Sequence, residues 1–149
     1  MKSDAESEPY ILIAEDNSGD VALIRLALDE QGVTLKLQVQ ADGESAIGFV
    51  NQIDAGIAAC PALVILDLNM PKIDGREVLQ RIRRSGICGS VPVIVFSSSD
   101  SDRDRQVSVS LGATMYLKKP SNLEDFLHIG KTLKRMLDEQ AGLASGVSG

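Results

Sequence analysis

Five short apolar runs alternate along the chain with longer stretches whose apolar residues recur at helical spacing. The runs are Tyr10-Ile11-Leu12-Ile13-Ala14, Leu35-Lys36-Leu37-Gln38-Val39, Ala62-Leu63-Val64-Ile65-Leu66, Val91-Pro92-Val93-Ile94-Val95-Phe96 and Thr114-Met115-Tyr116-Leu117. Three of them are nearly continuous in Val, Ile and Leu, as strands covered on both faces by helices are. Leu35 to Gln40 alternates instead, the pattern of an edge strand. Pro92 has no amide hydrogen for a sheet ladder and fits only at the first residue of its strand.

Val21, Leu23, Ile24, Ala27 and Leu28 mark a first helix; Ala46, Val50 and Ile53 a second; Val78, Leu79 and Ile82 a third. Val107 and Leu111 mark a short, polar fourth over about 102–111. The fifth carries Leu123, Phe126, Leu127, Gly130, Leu133 and Leu137 and opens on the capping box Ser121-Asn122-Leu123-Glu124. Gly32, Gly112 and Gly142 stand where helix stops are wanted. Five βα units in strict alternation predict an α/β, doubly wound, flavodoxin-like fold. Its five-stranded parallel sheet has helices on both faces, and the flavodoxin-like order 2-1-3-4-5 would gather the residues at the strand ends into one crevice. The expected domain spans 9–140, with loose tails at 1–8 and 141–149 and no output domain beyond Gln140.

A chain of 149 residues suits one domain, and at 44% hydrophobic and 24% charged residues it has an ordinary globular mix. The apolar runs fall far short of the ~20 residues that span a bilayer. The acidic N-terminus lacks a signal-peptide core, so a cytoplasmic protein with no membrane contact is expected. Fifteen Lys and Arg against 21 Asp and Glu give a net charge of −6, which disfavours phosphate polymers. Five aromatics and no Trp offer no base-stacking platform, so nucleic-acid binding is excluded. Cys60 and Cys88 lie far apart in sequence and His128 is the one histidine, so no zinc spacing exists. The two thiols read as reduced space-fillers.

Ligands of open α/β sheets bind beyond the carboxyl ends of the strands. Glu15-Asp16 follow the first strand, Asp67 the third, Ser97-Ser98 the fourth and Lys119-Pro120 the fifth. Singly, these read as a helix cap, loop serines and a solvated lysine. Together they fit one chemistry. Carboxylates ~5 Å apart repel by about 3 kcal/mol per pair at an effective dielectric near 20, and a hard divalent cation, Mg²⁺, removes that cost. Mg²⁺, an ammonium and a hydroxyl around one carboxylate form a clamp for a phosphoryl group in transfer, with Asp67 as nucleophile.

The ordered motifs Ile-Leu-Ile-Ala-Glu15-Asp16-Asn17, Leu-Asp67-Leu-Asn69-Met-Pro71 through Asp74-Gly75, Pro-Val-Ile-Val-Phe-Ser97-Ser98, and Gly112-Ala113 to Tyr116-Leu-Lys-Lys119-Pro120 resemble a response-regulator receiver domain of two-component signalling, over about residues 9–139. The resemblance implies that Asp67 accepts a phosphoryl group from a sensor histidine kinase or phosphotransfer protein. It implies Mg²⁺ held by Asp16, Asp67 and the Asn69 backbone carbonyl, with Glu15 holding its waters. Ser97 and Lys119 would bind the phosphoryl oxygens, Tyr116 would swing inward with Ser97, and the Lys119-Pro120 bond would be cis. Beyond self-catalysed transfer and slow autodephosphorylation, no enzymatic turnover is implied. Ser97 stands where Thr is more usual, Tyr116 adds a hydroxyl to the switch aromatic, and Ser121 replaces an apolar residue. Asp42-Gly43-Glu44 and the insert 53–61 are most similar to the stand-alone receivers paired with phytochrome-type or hybrid kinases.

Against this stands a pseudo-receiver, an interaction module without phosphotransfer, although all its pocket residues are present. A hydrolase would want a second carboxylate at position 69 or a nucleophile elbow, and a flavin site a phosphate loop after the first strand; neither exists. The fifth helix, with Ile129 and Met136 towards the edge of a wide apolar arc, predicts a homodimer through the face of the fourth helix, fifth strand and fifth helix.

Overall fold

The computed structural model describes residues 8–146. The expected tail segments 1–7 and 147–149 lie outside them. The order is β1 (Tyr10–Ala14), α1 (Ser18–Glu30), β2 (Lys36–Gln40), α2 (Gly43–Asp54), β3 (Leu63–Leu66), α3 (Gly75–Arg83), β4 (Val93–Ser97), α4 (Asp102–Ser110), β5 (Met115–Lys118) and α5 (Leu123–Gly146). All pairings are parallel, as the alternation predicts, and the sheet runs in the expected flavodoxin-like order β2-β1-β3-β4-β5. The half-exposed β2 is an edge. Pro92 falls just ahead of β4, where its carbonyl still accepts from Val64 N at 2.9 Å.

Period-two alternation along the strands divides the core in two. Leu12, Ala14, Val64, Leu66, Val93 and Val95 face α2 and α3, which contribute Ala46, Val50, Ile53, Val78, Leu79 and Ile82. Ile11, Ile13, Leu63, Ile65, Ile94 and Phe96 face α1 and α5, which contribute Ile24, Leu28, Phe126, Leu133 and Met136. Gly32 (φ +74°) and Gly112 (φ +104°) end α1 and α4 as anticipated, each closing a final turn with hydrogen bonds back into the helix.

The structure corrects four expectations. The cap of α5 is Asn122, whose Oδ1 accepts from Asp125 N at 2.8 Å, one residue later than the Ser121 box; Asn caps as well as Ser, so the sequence allowed either register. Gly142 does not stop α5, which continues to Gly146 rather than ending at Gln140; one helical Gly costs only about 1 kcal/mol relative to Ala. The Lys119–Pro120 bond is trans, like every peptide bond among the described residues, the default for an X-Pro bond by about 0.5–1 kcal/mol. Finally, the wide apolar arc of α5 serves the core. Met136 is buried, and Ile129 and Leu137 pack against the same cluster. A side chain at Gly130 would overlap the Ala27 carbonyl, so α1 and α5 meet backbone to backbone. The arc is wide because the helix packs on both the sheet and α1.

Candidate functional site

The strand register brings the expected residues to one end of the sheet. Glu15 N donates to Gln40 O at 3.0 Å and Asp67 N to Ala14 O at 2.9 Å, continuing the ladders one residue past β1 and β3. Glu15 and Asp67 are both buried, at 3% and 6% exposure, whereas Asp16 faces solvent. Their carboxylate oxygens, one from each residue, lie within 4.8 Å of one another. Glu15 Oε2 accepts from Asn17 N at 3.1 Å, and Asp67 Oδ1 from Asn69 N at 3.1 Å.

The loop after Asp67 is held by close packing. A Cβ at Gly75 would overlap the Asp67 carbonyl oxygen and approach Leu68 Cα to 2.6 Å, so only Gly lets α3 start against the acceptor. Gly43 likewise abuts the Ile73 backbone. Between them Lys72 takes φ +74°, a left-handed conformation in the turn Pro71–Asp74.

Lys119 supplies the positive charge. Its Nζ lies 2.8 Å from Glu15 Oε1, 2.8 Å from Asp20 Oδ2 and 3.3 Å from Asp67 Oδ2. Its backbone N donates to Ser97 O at 2.7 Å, tying β5 to the end of β4. Burial works to lower the Lys119 pKa, but the carboxylates of Asp20, Glu15 and Asp67 more than offset it, and the ammonium is held above the ordinary lysine range. Burial pushes the Glu15 carboxyl up to about 7, with the Asp67 charge adding and Lys119 opposing. One ammonium faces four carboxyl groups, so the pocket has room, in charge and in oxygen donors, for a divalent cation.

Ser97 is fully buried and its Oγ accepts from Ser99 N at 3.2 Å. Tyr116 is buried too, its hydroxyl donating to Ser99 O at 2.8 Å. The Arg105 guanidinium stacks 4.7 Å from the Tyr116 ring centroid. The ring faces inward, where the added hydroxyl finds a backbone partner in the β4–α4 loop.

The residue that sequence reasoning missed is Asp20. As a first-turn acid of α1 it reads as helix-terminal electrostatics. No local signal marks it, because Asp16 lies ahead of the helix and shares no helical face with Asp20.

Residues 11–130 match the response regulator receiver domain. The chain belongs to that family. This receiver domain is 36% identical over 136 residues to the probable methanogenesis regulatory protein FilR2 of Methanothrix harundinacea, covering 91% of this chain and 83% of that one. It is 33% identical over 126 residues to the response regulator Rcp1 of Synechocystis, covering 84% and 86%. Among solved structures it resembles the phosphorylated cyanobacterial phytochrome response regulator RcpA (TM-score 0.79, 33% identity, 88% and 94% covered). It also resembles the Mn²⁺-bound form of Rcp1 (TM-score 0.76, 32% identity, 85% and 92% covered). Both the family and the 2-1-3-4-5 architecture expected from the motifs are thus established.

Proposed function

We propose that this receiver domain is the phosphorylation switch of a two-component relay, acting in the cytoplasm and signalling through changed protein docking. The observation that carries this is the Lys119 ammonium shared between Glu15 and the buried Asp67 at the carboxyl end of the sheet. An Asp67 carboxylate oxygen attacks the phosphorus of a phosphohistidine on a sensor kinase or phosphotransfer protein. The new P–O bond forms as the P–N bond breaks, and the imidazole leaves. Lys119 pairs with the phosphoryl oxygens and the Ser97 hydroxyl donates to one of them. Glu15, Asp16, Asp67 and the Asn69 carbonyl would hold Mg²⁺, which when bound neutralises charge building on those oxygens. The domain turns over no separate substrate.

Output would pass through the face of α4, β5 and α5, where a homodimer is one use. Among the described residues, the large exposed apolar side chains on its helices are Val109 and Leu123, at 57% and 54% exposure. Incubation with Mg²⁺ and acetyl phosphate tests the reading. The wild type should gain one hydroxylamine-labile phosphoryl group and Asp67→Asn none, while keeping its fold. A wild type that gains no phosphoryl group would be a pseudo-receiver, an interaction module only.

A further inference from the structure

At the amino ends of β3 and β4, opposite the acidic pocket, Cys60 precedes β3 and Cys88 precedes β4. Far apart in sequence, the two thiols are neighbours in the fold. They line one open cavity of about 530 Å³, with Cys60 exposed and Cys88 on the buried wall. The two side chains interact across that cavity and shift each other's titration, Cys60 upward and Cys88 downward. The loop carrying Cys88 is pinned: its amide donates to Ser85 Oγ at 3.0 Å, the Ser85 hydroxyl donates to Asp54 at 2.5 Å, and Arg81 pairs with Asp54 at 2.7 Å.

We infer that Cys60 and Cys88 form a reversible dithiol/disulfide couple, oxidised within one chain by a hydroperoxide. This inference is independent of the proposed phosphotransfer. Two thiols that line one cavity on ordered loops can bridge with little backbone movement, whereas thiols pointing apart cannot be bridged at all. Their mutual interaction favours the thiolate at Cys88 and the thiol at Cys60, so Cys88 is the attacking sulfur and Cys60 the resolving one. The Cys88 thiolate attacks one peroxide oxygen. An S–O bond forms, the O–O bond breaks, and the departing hydroxide takes the proton released by the thiol to become water. Cys60 sulfur then attacks the sulfenic sulfur. The S–S bond forms, the S–O bond breaks, and a second water leaves with the Cys60 proton. Two thiols are oxidised and one peroxide is reduced to two waters; a small dithiol reverses the change by exchange. The bridge encloses β3, Asp67 and α3 in one covalent loop.

The experiment treats the reduced full chain with hydrogen peroxide beside a free-thiol peptide as internal control. The expected product is a monomer lighter by two hydrogen atoms, with the Cys60 and Cys88 peptides joined, and with a Tm raised by roughly 5–10 °C. Dithiothreitol should restore both. Cys60→Ser, at an exposed site, should fold and stop at a dimedone-trapped Cys88 sulfenic acid. An intermolecular cross-link, a bridge that lowers the Tm, or two thiols still titratable once the control peptide is fully oxidised would each overturn the inference.

Discussion

Lys119 Nζ stands 2.8 Å from Asp20 Oδ2 and 3.3 Å from Asp67 Oδ2, so a residue of α1 grips the ammonium more closely than the acceptor does. Asp20 competes for the charge that phosphoryl transfer requires. Asp20→Asn should release Lys119 toward Asp67 and speed phosphorylation by acetyl phosphate about threefold to tenfold, tenfold being about 1.4 kcal/mol of barrier. Stopped-flow rates at saturating Mg²⁺ give the comparison, and a slower variant would show that Asp20 positions the ammonium rather than competing for it.

Metal should stabilise the fold. Lys119 offsets only part of the repulsion among Glu15, Asp16 and Asp67, so the pocket without a metal keeps excess negative charge. At a hundredfold excess over its Kd, Mg²⁺ should add about 2.7 kcal/mol. Asp16→Ala, which removes an exposed carboxylate, should leave the chelated protein folded and erase that gain. A flat wild-type melting temperature across a Mg²⁺ titration would remove the metal site.

The raised Glu15 pKa gives the chelated protein a definite pH response. Between the unfolded carboxyl value near 4.5 and the folded value of about 7, the folded state binds more protons than the unfolded one. Stability is therefore highest on the acidic side of this window and falls as pH rises through about 7. Glu15→Gln should flatten that slope. Melting curves from pH 5 to 8 in EDTA are the measurement, and a wild-type curve that rises across the window contradicts the assignment.

Helix α4 is weakly anchored. Its one buried side chain is Ser108, whose hydroxyl has no hydrogen-bond partner within the protein. A buried unpaired hydroxyl costs about 1–3 kcal/mol, so Ser108→Ala should stabilise the domain by about 1 kcal/mol. It should also slow amide exchange in α4 relative to α1. Beryllofluoride should change exchange in the wild-type α4 more than in α1; equal protection in both helices would count against α4 as the moving part.

If the α4–β5–α5 face forms a homodimer, Leu123→Asp should weaken it and leave the monomer folded. Ile129→Asp should instead destabilise the monomer, because Ile129 packs into the core. Sedimentation at ~100 μM with beryllofluoride separates these outcomes.

Strand positions were legible because burial on both faces makes β1, β3 and β4 short, nearly continuous apolar runs between longer stretches of helical period. The pocket was legible because each of its residues sits at the end of a strand, where topology alone brings them together. Met136 and Ile129 were misread for a physical reason: a helical stripe records that a face is buried, not whether a sheet, a neighbouring helix or a second subunit covers it. Asp20 and the Cys60–Cys88 interaction were beyond local pattern. Each depends on which side chain meets another after distant segments have packed, and no spacing rule encodes that.

The inward Tyr116 ring changes what the message can be. The phenol oxygen fastens the ring to the Ser99 carbonyl, two residues beyond Ser97 on the same loop, while Arg105 stacks on the ring from α4. Serine, tyrosine and arginine thus form one linkage from the loop to α4. Drawing the loop toward Asp67 would pull the ring and the helix after it, a message of displacement.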